Sequence, residues 1–159
     1  MADQADRANQ ADRADQAHRT ARPDFGWLIN DFTQRVHGVT HALILSSDGL
    51  PLVASDTVEG QAAEQLAAIS SGMLSLARNA ATVFDKGTCE QIVVRLSGGY
   101  FLFMDIGEGA GLGVLTSPAC DMKVIGYEMT KFVDNAGHAL TPQLRADMRR
   151  TVTARRPGT

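Results

Sequence analysis

The sequence predicts an α+β fold in which helices pack on a five-stranded antiparallel sheet. Three observations support it: a proline-free, helix-periodic stretch from Glu59 to Lys86, two β-prone runs before it joined by an Asp-Gly turn, and three β-prone runs after it joined by glycine-rich connectors. Strands that are grouped in hairpins, rather than alternating with helices, favour an antiparallel sheet. The expected order is helix, two strands, long helix, three strands, helix (α-β-β-α-β-β-β-α).

The first helix is expected to begin at Asp24, because an aspartate is a favourable N-terminal cap, and to run to about His37. Gly38 supplies the stop signal. The predicted apolar stripe of this helix consists of Trp27, Leu28, Phe32 and Val36. We expect these side chains to face the core.

A β-hairpin should follow, with strands from Val39 to Leu45 and from Leu50 to Ala54. The connecting Asp48-Gly49 step is a strong turn signal, since both residues tolerate the positive φ that a tight hairpin requires. Pro51 lacks a backbone N–H donor, so the second strand is predicted to lie at an edge of the sheet.

The long stretch from Glu59 to Lys86 carries apolar side chains over a wide arc. One stripe consists of Ala62, Leu66, Ile69, Met73, Leu76, Ala80 and Val83. A second stripe consists of Ala63, Ala67, Leu74, Ala77, Ala81 and Phe84. A third row, of small residues, consists of Ala68, Gly72, Ser75 and Asn79. Because one neighbouring layer cannot cover such an arc, we expect the helix to pack on its own sheet and on a partner helix, with its own symmetry mate favoured. The alternative is burial inside one larger domain.

Three more strands and a final helix complete the predicted fold. The helix should begin near Asp121 and end at about Asn135 or Gly137, with Met122, Ile125, Met129, Phe132 and Val133 on its apolar side. Pro118 separates it from the strands. The strands are expected at Cys89 to Leu96, Tyr100 to Ile106, and Gly111 to Thr116.

The 159 residues suffice for one domain with two tails. Residues 1–23 repeat Ala-Asp-Gln and Ala-Asp-Arg units without Val, Ile, Leu or aromatic residues, so a disordered tail is expected there; a docking tail that folds on a partner is the alternative. Residues 24–139 should form the folded domain. Residues 140–159, with five Arg and one Asp, are expected to form a basic flexible tail. That tail has three candidate contacts: an anionic membrane surface, the acidic domain or a kinase partner.

Charge and cysteine content exclude some classes of function. Residues 24–139 hold six basic and thirteen acidic groups, and so acidic a domain disfavours nucleic-acid binding. No secretory signal or membrane-spanning run is seen, so a cytoplasmic location is expected, with peripheral membrane contact through partners or the basic tail left open. Cys89 and Cys120 are expected to be reduced thiols, although a disulfide between them stays an alternative.

No metal or phosphate site is predicted. The glycine-rich run of residues 107–113 is followed by a strand and lacks a Lys-Ser or Lys-Thr pair, so a hairpin turn is favoured over a phosphate-binding loop. His37 and His41 straddle the Gly38 break, and they would not share a helical face as zinc ligands do. We therefore expect neither a metal nor a cofactor.

Catalytic side chains are also not recognisable. Ser70 and Ser71 lie within the long helix rather than on a strand-to-helix elbow, and no histidine is near them in sequence. Asp105 and Glu108 flank a turn, where exposed acids are common. The sequence thus favours a binding or regulatory protein over an enzyme.

Three stretches resemble a known family. Residues 39–55, 67–72 and 99–104 resemble bacterial roadblock domains of the dynein-light-chain type, and the chain is similar to actinobacterial members encoded beside a sensor kinase and a small Ras-like GTPase. The resemblance covers residues 24–139. It implies a roadblock-like sandwich that dimerises through the long helix and the strand after it. It also implies a non-enzymatic regulator or scaffold whose paired helices bind a small GTPase and, in some members, activate GTP hydrolysis.

The resemblance assigns two sets of residues to these contacts. The expected GTPase-binding surface consists of Glu64, Ser71, Ser75, Arg78, Asn79 and Thr82. The expected dimer interface consists of Ala68, Gly72, Ser75, Asn79, Gln91, Val93 and Arg95. Alternatives are an ordinary solvated helix face, a heterodimer with another roadblock chain, and a small-ligand-sensing signalling domain. In the last case Cys120, Tyr127 or Phe103 would line a pocket.

Overall fold

The computed structural model describes residues 9–10 and 24–154. Its five-stranded antiparallel sheet with packed helices confirms the predicted fold class and the predicted order of the first eight elements. The expected disordered tail, residues 1–23, lies outside the described residues apart from residues 9 and 10. The elements are α1 (Phe25–Arg35), β1 (Val39–Ser46), β2 (Pro51–Ala54), α2 (Gln61–Val83), β3 (Gln91–Leu96), β4 (Gly99–Gly107), β5 (Ala110–Thr116), α3 (Met122–Ala139) and α4 (Pro142–Ala154).

The strands lie in the order β2-β1-β5-β4-β3, and every neighbouring pair is antiparallel. Strand β2 is therefore an edge strand, as its proline predicted. The β1–β2 turn contains Gly49 at a φ of +87°, which confirms the predicted turn. Strand β3 forms the opposite edge.

Helices α1 and α3 cover one face of the sheet. Their apolar side chains form a continuous core with those of the inner strands, and the rings of Phe32 and Phe132 meet edge to face with centroids 5.3 Å apart. The carboxylate of Asp24 caps α1 by accepting the Trp27 N–H at 3.1 Å. The carboxylate of Asp121 caps α3 in the same way. Both helix starts were predicted.

The predicted apolar stripe of α1 is wrong in one member. Trp27 is 63% exposed, whereas Phe25 and Ile29 are buried with Phe32 and Val36. The buried residues follow an i, i+4, i+7, i+11 spacing, which keeps them on one side of the helix, and Trp27 projects from the other side.

Helix α2 covers the other face of the sheet. It packs over Leu43, Leu45, Phe101 and Phe103, which form a second buried cluster. The ring of Phe103 lies directly against Gly111 on the next strand. Helices therefore cover both faces, and the sheet separates two apolar layers.

The C-terminal segment differs from the expected flexible tail, residues 140–159, of which residues 155–159 lie outside the described residues. Residues 142–154 form helix α4, whose Leu144 and Met148 pack against the core on the α1 side. The apolar spacing of four residues places both side chains on one face, and tertiary contacts stabilise a helix whose sequence is largely polar.

Two further expectations concern membrane segments and thiols. No helix in residues 9–10 and 24–154 is long and apolar enough to cross a lipid bilayer. Cys89 and Cys120 are both free thiols, as expected, and each is half-buried.

Candidate functional site

The most unusual surface of the described chain is the outward face of α2. The helix has 23 residues, yet only Leu66, Ala67, Ser70 and Leu74 are buried. Ser70 can be buried because its hydroxyl donates to the carbonyl of Leu66 at 2.6 Å. Most of the helix is therefore available for contacts with other molecules.

Three rows divide this face. The polar row consists of Glu64, Ser71, Arg78 and Thr82. The small row consists of Ala68, Gly72, Ser75 and Asn79. The apolar row consists of Ile69, Leu76 and Val83. At 100° per residue, about 140° separates the polar row from the apolar row, and the small row lies between them.

The polar row is anchored to the β1–β2 turn. The Ser71 hydroxyl donates to the carbonyl oxygen of Ser47 at 2.9 Å, and Ser71 is half-buried. Arg78 is exposed, and its backbone carbonyl accepts from the Thr82 hydroxyl at 3.0 Å. Glu64 and Thr82 are exposed as well. The structure thus brings four of the six residues of the expected GTPase-binding surface into one row.

The remaining two, Ser75 and Asn79, lie in the small row, where both are exposed. Gly72 is also exposed, and a Cβ atom added there would meet nothing within 4 Å. No contact among the described residues therefore requires a glycine at this position, although it costs about 1 kcal/mol of helix stability relative to alanine. A small residue here would let another helix backbone approach closely from outside.

The apolar row lies open to solvent. Its three side chains are 56% to 72% exposed, and Phe84, at the end of the helix, is 70% exposed. These residues belong to the two predicted apolar stripes but not to the expected dimer interface. The signal that could have found them is the regular spacing of Ile69, Leu76 and Val83 by seven residues, which is typical of helices that pair.

Strand β3 adds an unpaired edge. It pairs with β4 on one side only, and its side chains alternate between half-buried Ile92 and Val94 and exposed Gln91, Val93 and Arg95. The exposed residues are those assigned to the dimer interface. A sheet edge with unpaired backbone groups and an exposed valine is suited to pairing with another strand.

The alternative ligand pocket does not form from the residues proposed for it. Phe103 is buried beneath α2, Cys120 lies in the layer on the opposite face of the sheet, and Tyr127 is exposed on α3. A different open cavity of about 530 Å³ lies between the end of β4 and α3. Its lining includes Cys89, Asp105, Thr130 and Asp134.

The side chains considered for chemistry are not assembled into a site. Within residues 9–10 and 24–154, no group of three His, Cys, Asp or Glu side chains could hold a metal ion. The carboxylate of Asp105 accepts the backbone N–H of Gly107 at 3.0 Å, while Glu108 lies 3.7 Å from the guanidinium of Arg145. Both carboxylates therefore have structural contacts.

A protein-family comparison agrees with this architecture. The sequence model of the Roadblock/LC7 domain matches residues 25–116, which include α1, α2 and the whole sheet but not α3 or α4. None of the curated protein sequences that were compared matches the chain.

Solved structures show the same fold. A Roadblock/LC7 domain from Streptomyces avermitilis is 36% identical, with a TM-score of 0.66 over 69% of this chain and 92% of that one. A second Streptomyces avermitilis Roadblock/LC7 domain is 32% identical, with a TM-score of 0.60 over 72% of this chain and 99% of that one. MglB from Myxococcus xanthus is 9% identical, with a TM-score of 0.67 over 73% of this chain and 94% of that one. The last likeness concerns the fold alone.

Proposed function

The chain belongs to the Roadblock/LC7 domain family, and we propose that it is a non-enzymatic regulator or scaffold that binds a small Ras-like GTPase. The observation that supports this proposal is the outward face of α2, which presents a largely exposed polar row beside rows suited to helix pairing. In the family that the sequence resembles, small GTPases bind to paired long helices. The complex is proposed to include a sensor kinase, as in the similar actinobacterial proteins.

We propose that two copies of the chain pair through the small and apolar rows of α2 and the edge of β3. Burial of exposed leucine, isoleucine and valine side chains supports association, because each contributes about 1.5–3 kcal/mol when fully buried. The small row lets the two helix backbones approach closely, and β3 strands from two copies can extend the sheet. The alternative is a heterodimer, in which another roadblock chain takes the place of the second copy.

The same pairing leaves the polar row for the GTPase. Arg78 is the one basic side chain of the polar row, so it is suited to an acidic patch on the partner. Its role is that of a contact residue, since in the family the GTPase's own residues carry out hydrolysis. Whether the protein activates hydrolysis or only scaffolds the GTPase depends on how it positions those residues.

A cytoplasmic location fits a partner of this kind. Peripheral contact with a membrane, through partners or the basic C-terminal segment, belongs to the proposal as well. Two arginines of that segment, Arg145 and Arg149, already pair with Glu108 and Asp48 of the domain. These two side chains could therefore contact a membrane only if their ion pairs with the domain were broken.

An affinity capture in two nucleotide states tests the proposal. The immobilised protein is incubated with lysate of the producing organism, once with GDP and once with a non-hydrolysable GTP analogue, and retained proteins are identified by mass spectrometry. We expect a small Ras-like GTPase that is retained preferentially in one state. The Arg78→Glu variant should lose it, whereas Lys123→Glu, a charge reversal at an exposed position on α3, should retain it.

The control for folding is the oligomeric state of both variants, which should equal that of the wild type. If a folded wild-type dimer retains no GTPase in either nucleotide state, the proposal is overturned. Native mass spectrometry for a retained small molecule would then test the ligand-sensing alternative, with the cavity beside Cys89 and Asp105 as its site.

A further inference from the structure

Helix α4 contacts the domain through two different kinds of side chain. Leu144 and Met148, four residues apart, pack against the apolar core, and the helix lies over edge strand β2. Arg145 and Arg149, also four residues apart, lie on an adjacent side of the helix. The two arginines reach carboxylates in two separate turns of the sheet.

The two ion pairs join distant parts of the chain. Arg149 Nη2 lies 3.1 Å from Asp48 Oδ1 in the β1–β2 turn, and Arg145 Nη2 lies 3.7 Å from Glu108 Oε2 in the β4–β5 turn. Arg150 differs, because it is 78% exposed and pairs with Asp147 of its own helix at 3.5 Å. Of these three arginines, Arg145 and Arg149 are the ones whose ion pairs connect α4 with the sheet.

The backbone conformation of the two turns favours this contact. The backbone N–H of Ser47 donates to the carbonyl of Gly109 at 2.8 Å, which ties the two turns together. Glu108 has a φ of +55°, which is uncommon for a residue with a side chain, and a Cβ at Gly109 would lie 3.1 Å from Arg145 Nη1. The side chain of Arg145 is only 13% exposed, and its guanidinium lies close to the backbone of Gly109.

The carboxylate of Asp48 is held in its charged form. The Ser46 hydroxyl donates to it and lowers the pKa of Asp48, and the charge of Arg149 lowers that pKa further. The acceptor for Arg149 is therefore ionised and is held in position by the Ser46 hydroxyl.

The β1–β2 turn also contacts α2 on its other side. The carbonyl of Ser47 accepts the Ser71 hydroxyl at 2.9 Å, and a Cβ at Gly49 would lie 3.4 Å from the Ser71 Cβ. Ser71 belongs to the polar row. One short turn thus separates the arginine pair of α4 from the surface proposed for the GTPase.

We propose that α4 is a releasable clasp: Arg145 and Arg149 hold it on the Glu108 and Asp48 turns, and its docking fixes the β1–β2 turn against Ser71 of the polar row. Release of α4 would free this turn and change the polar row. The clasp itself stands on the contacts of α4, while its effect on binding rests on the proposed function.

A double-mutant cycle on the full chain tests the clasp. Asp48→Asn keeps the acceptor for the Ser46 hydroxyl but removes the charge, and Arg149→Gln removes the partner charge. Amide hydrogen exchange of residues 142–154 is the measurement. Each single substitution should accelerate exchange about two- to fivefold, the amount expected for one partly exposed ion pair. The double variant should exchange no faster than either single variant.

The matched control is Arg150→Gln, which should accelerate exchange less than Asp48→Asn or Arg149→Gln, because the ion pair of Arg150 is with Asp147 of its own helix. High salt should accelerate exchange in the wild type more than in the double variant, since it screens the pair. Unchanged exchange in both single variants, or fully additive effects in the double variant, would overturn the clasp.

The effect on binding is read separately, as the affinity of the captured GTPase for wild-type protein and for Arg149→Gln. A changed affinity, with Arg150→Gln unchanged, supports the link through Ser71. Equal affinities would overturn that link. The exchange measurement would still decide whether the arginines hold α4 on the two turns. If the wild type captures no GTPase, the proposed function fails, and the exchange cycle remains an independent test of α4.

Discussion

The ring of Phe103 on β4 occupies the space that a side chain at Gly111 on β5 would need: a Cβ there would lie 2.2 Å from Phe103 Cζ. Phe103 is almost fully buried beneath α2, so the ring has little room to move. Gly111→Ala should therefore reduce the free energy of unfolding by about 1–3 kcal/mol, as overpacked cores do. Urea denaturation measures the change.

Gly113→Ala provides the control for that substitution. Gly113 lies on the same strand two residues on, but a Cβ there would first meet Ser70 Oγ at 3.5 Å, an ordinary contact distance. We expect a much smaller loss of stability than for Gly111→Ala. Equal losses would mean that the ring contact is not the cause.

Leu76→Glu tests the proposed pairing of two copies. Leu76 is 72% exposed and lies in the apolar row, so a glutamate there should leave the single chain folded. In a symmetric pair, both copies lose a buried leucine and gain an unpaired charge, and the dissociation constant should rise about 100-fold or more. Analytical ultracentrifugation over a concentration series measures it.

The matched variant is Val124→Glu, an exposed apolar residue on α3, away from the α2 rows. It should leave the sedimentation behaviour of the wild type unchanged. A wild type that stays monomeric at high concentration, or a Leu76→Glu variant that still dimerises normally, would exclude this interface.

Ser46→Ala should raise the pKa of Asp48. The hydrogen bond from Ser46 is the largest cause of the lowered pKa, and the charge of Arg149 is a smaller one, so Arg149→Gln should raise this pKa less. Because the pKa is lowered in the folded state, ionised Asp48 stabilises the fold above its unfolded pKa, and this contribution is lost as the pH falls through its folded pKa. Carboxyl NMR titration distinguishes the two variants, and a larger shift in Arg149→Gln would reverse the assignment.

Much of the fold could be predicted because its signals are local. The caps Asp24 and Asp121, the turn glycine Gly49 and the edge proline Pro51 each act within a few residues, and each lies where the sequence predicted it. Helix α4 was not predicted, since its contacts are with distant parts of the chain, such as the pairing of Arg149 with Asp48, 101 positions away. A contact between residues so far apart in the sequence leaves no local pattern from which it could be predicted.

The rows of α2 were only partly predictable for a similar reason. The width of the apolar arc showed that two surfaces must cover it, but both stripes are equally apolar, and the polar Ser70 is buried against the sheet together with Leu66 and Leu74. Its hydroxyl is satisfied within the helix, so its polarity gives no sign of exposure. Which row faces outward required the packed structure.

The most direct test of the proposed function is a calorimetric titration of the captured GTPase, loaded with GDP or a non-hydrolysable GTP analogue, into wild-type protein and into Arg78→Glu. We expect binding in one nucleotide state that is at least about tenfold tighter than in the other, a difference of about 1.4 kcal/mol. Arg78→Glu should bind that state clearly more weakly, with the dimer intact. Equal affinities of wild type and Arg78→Glu would contradict the role of the polar row, and absence of binding in both nucleotide states would contradict the proposed function.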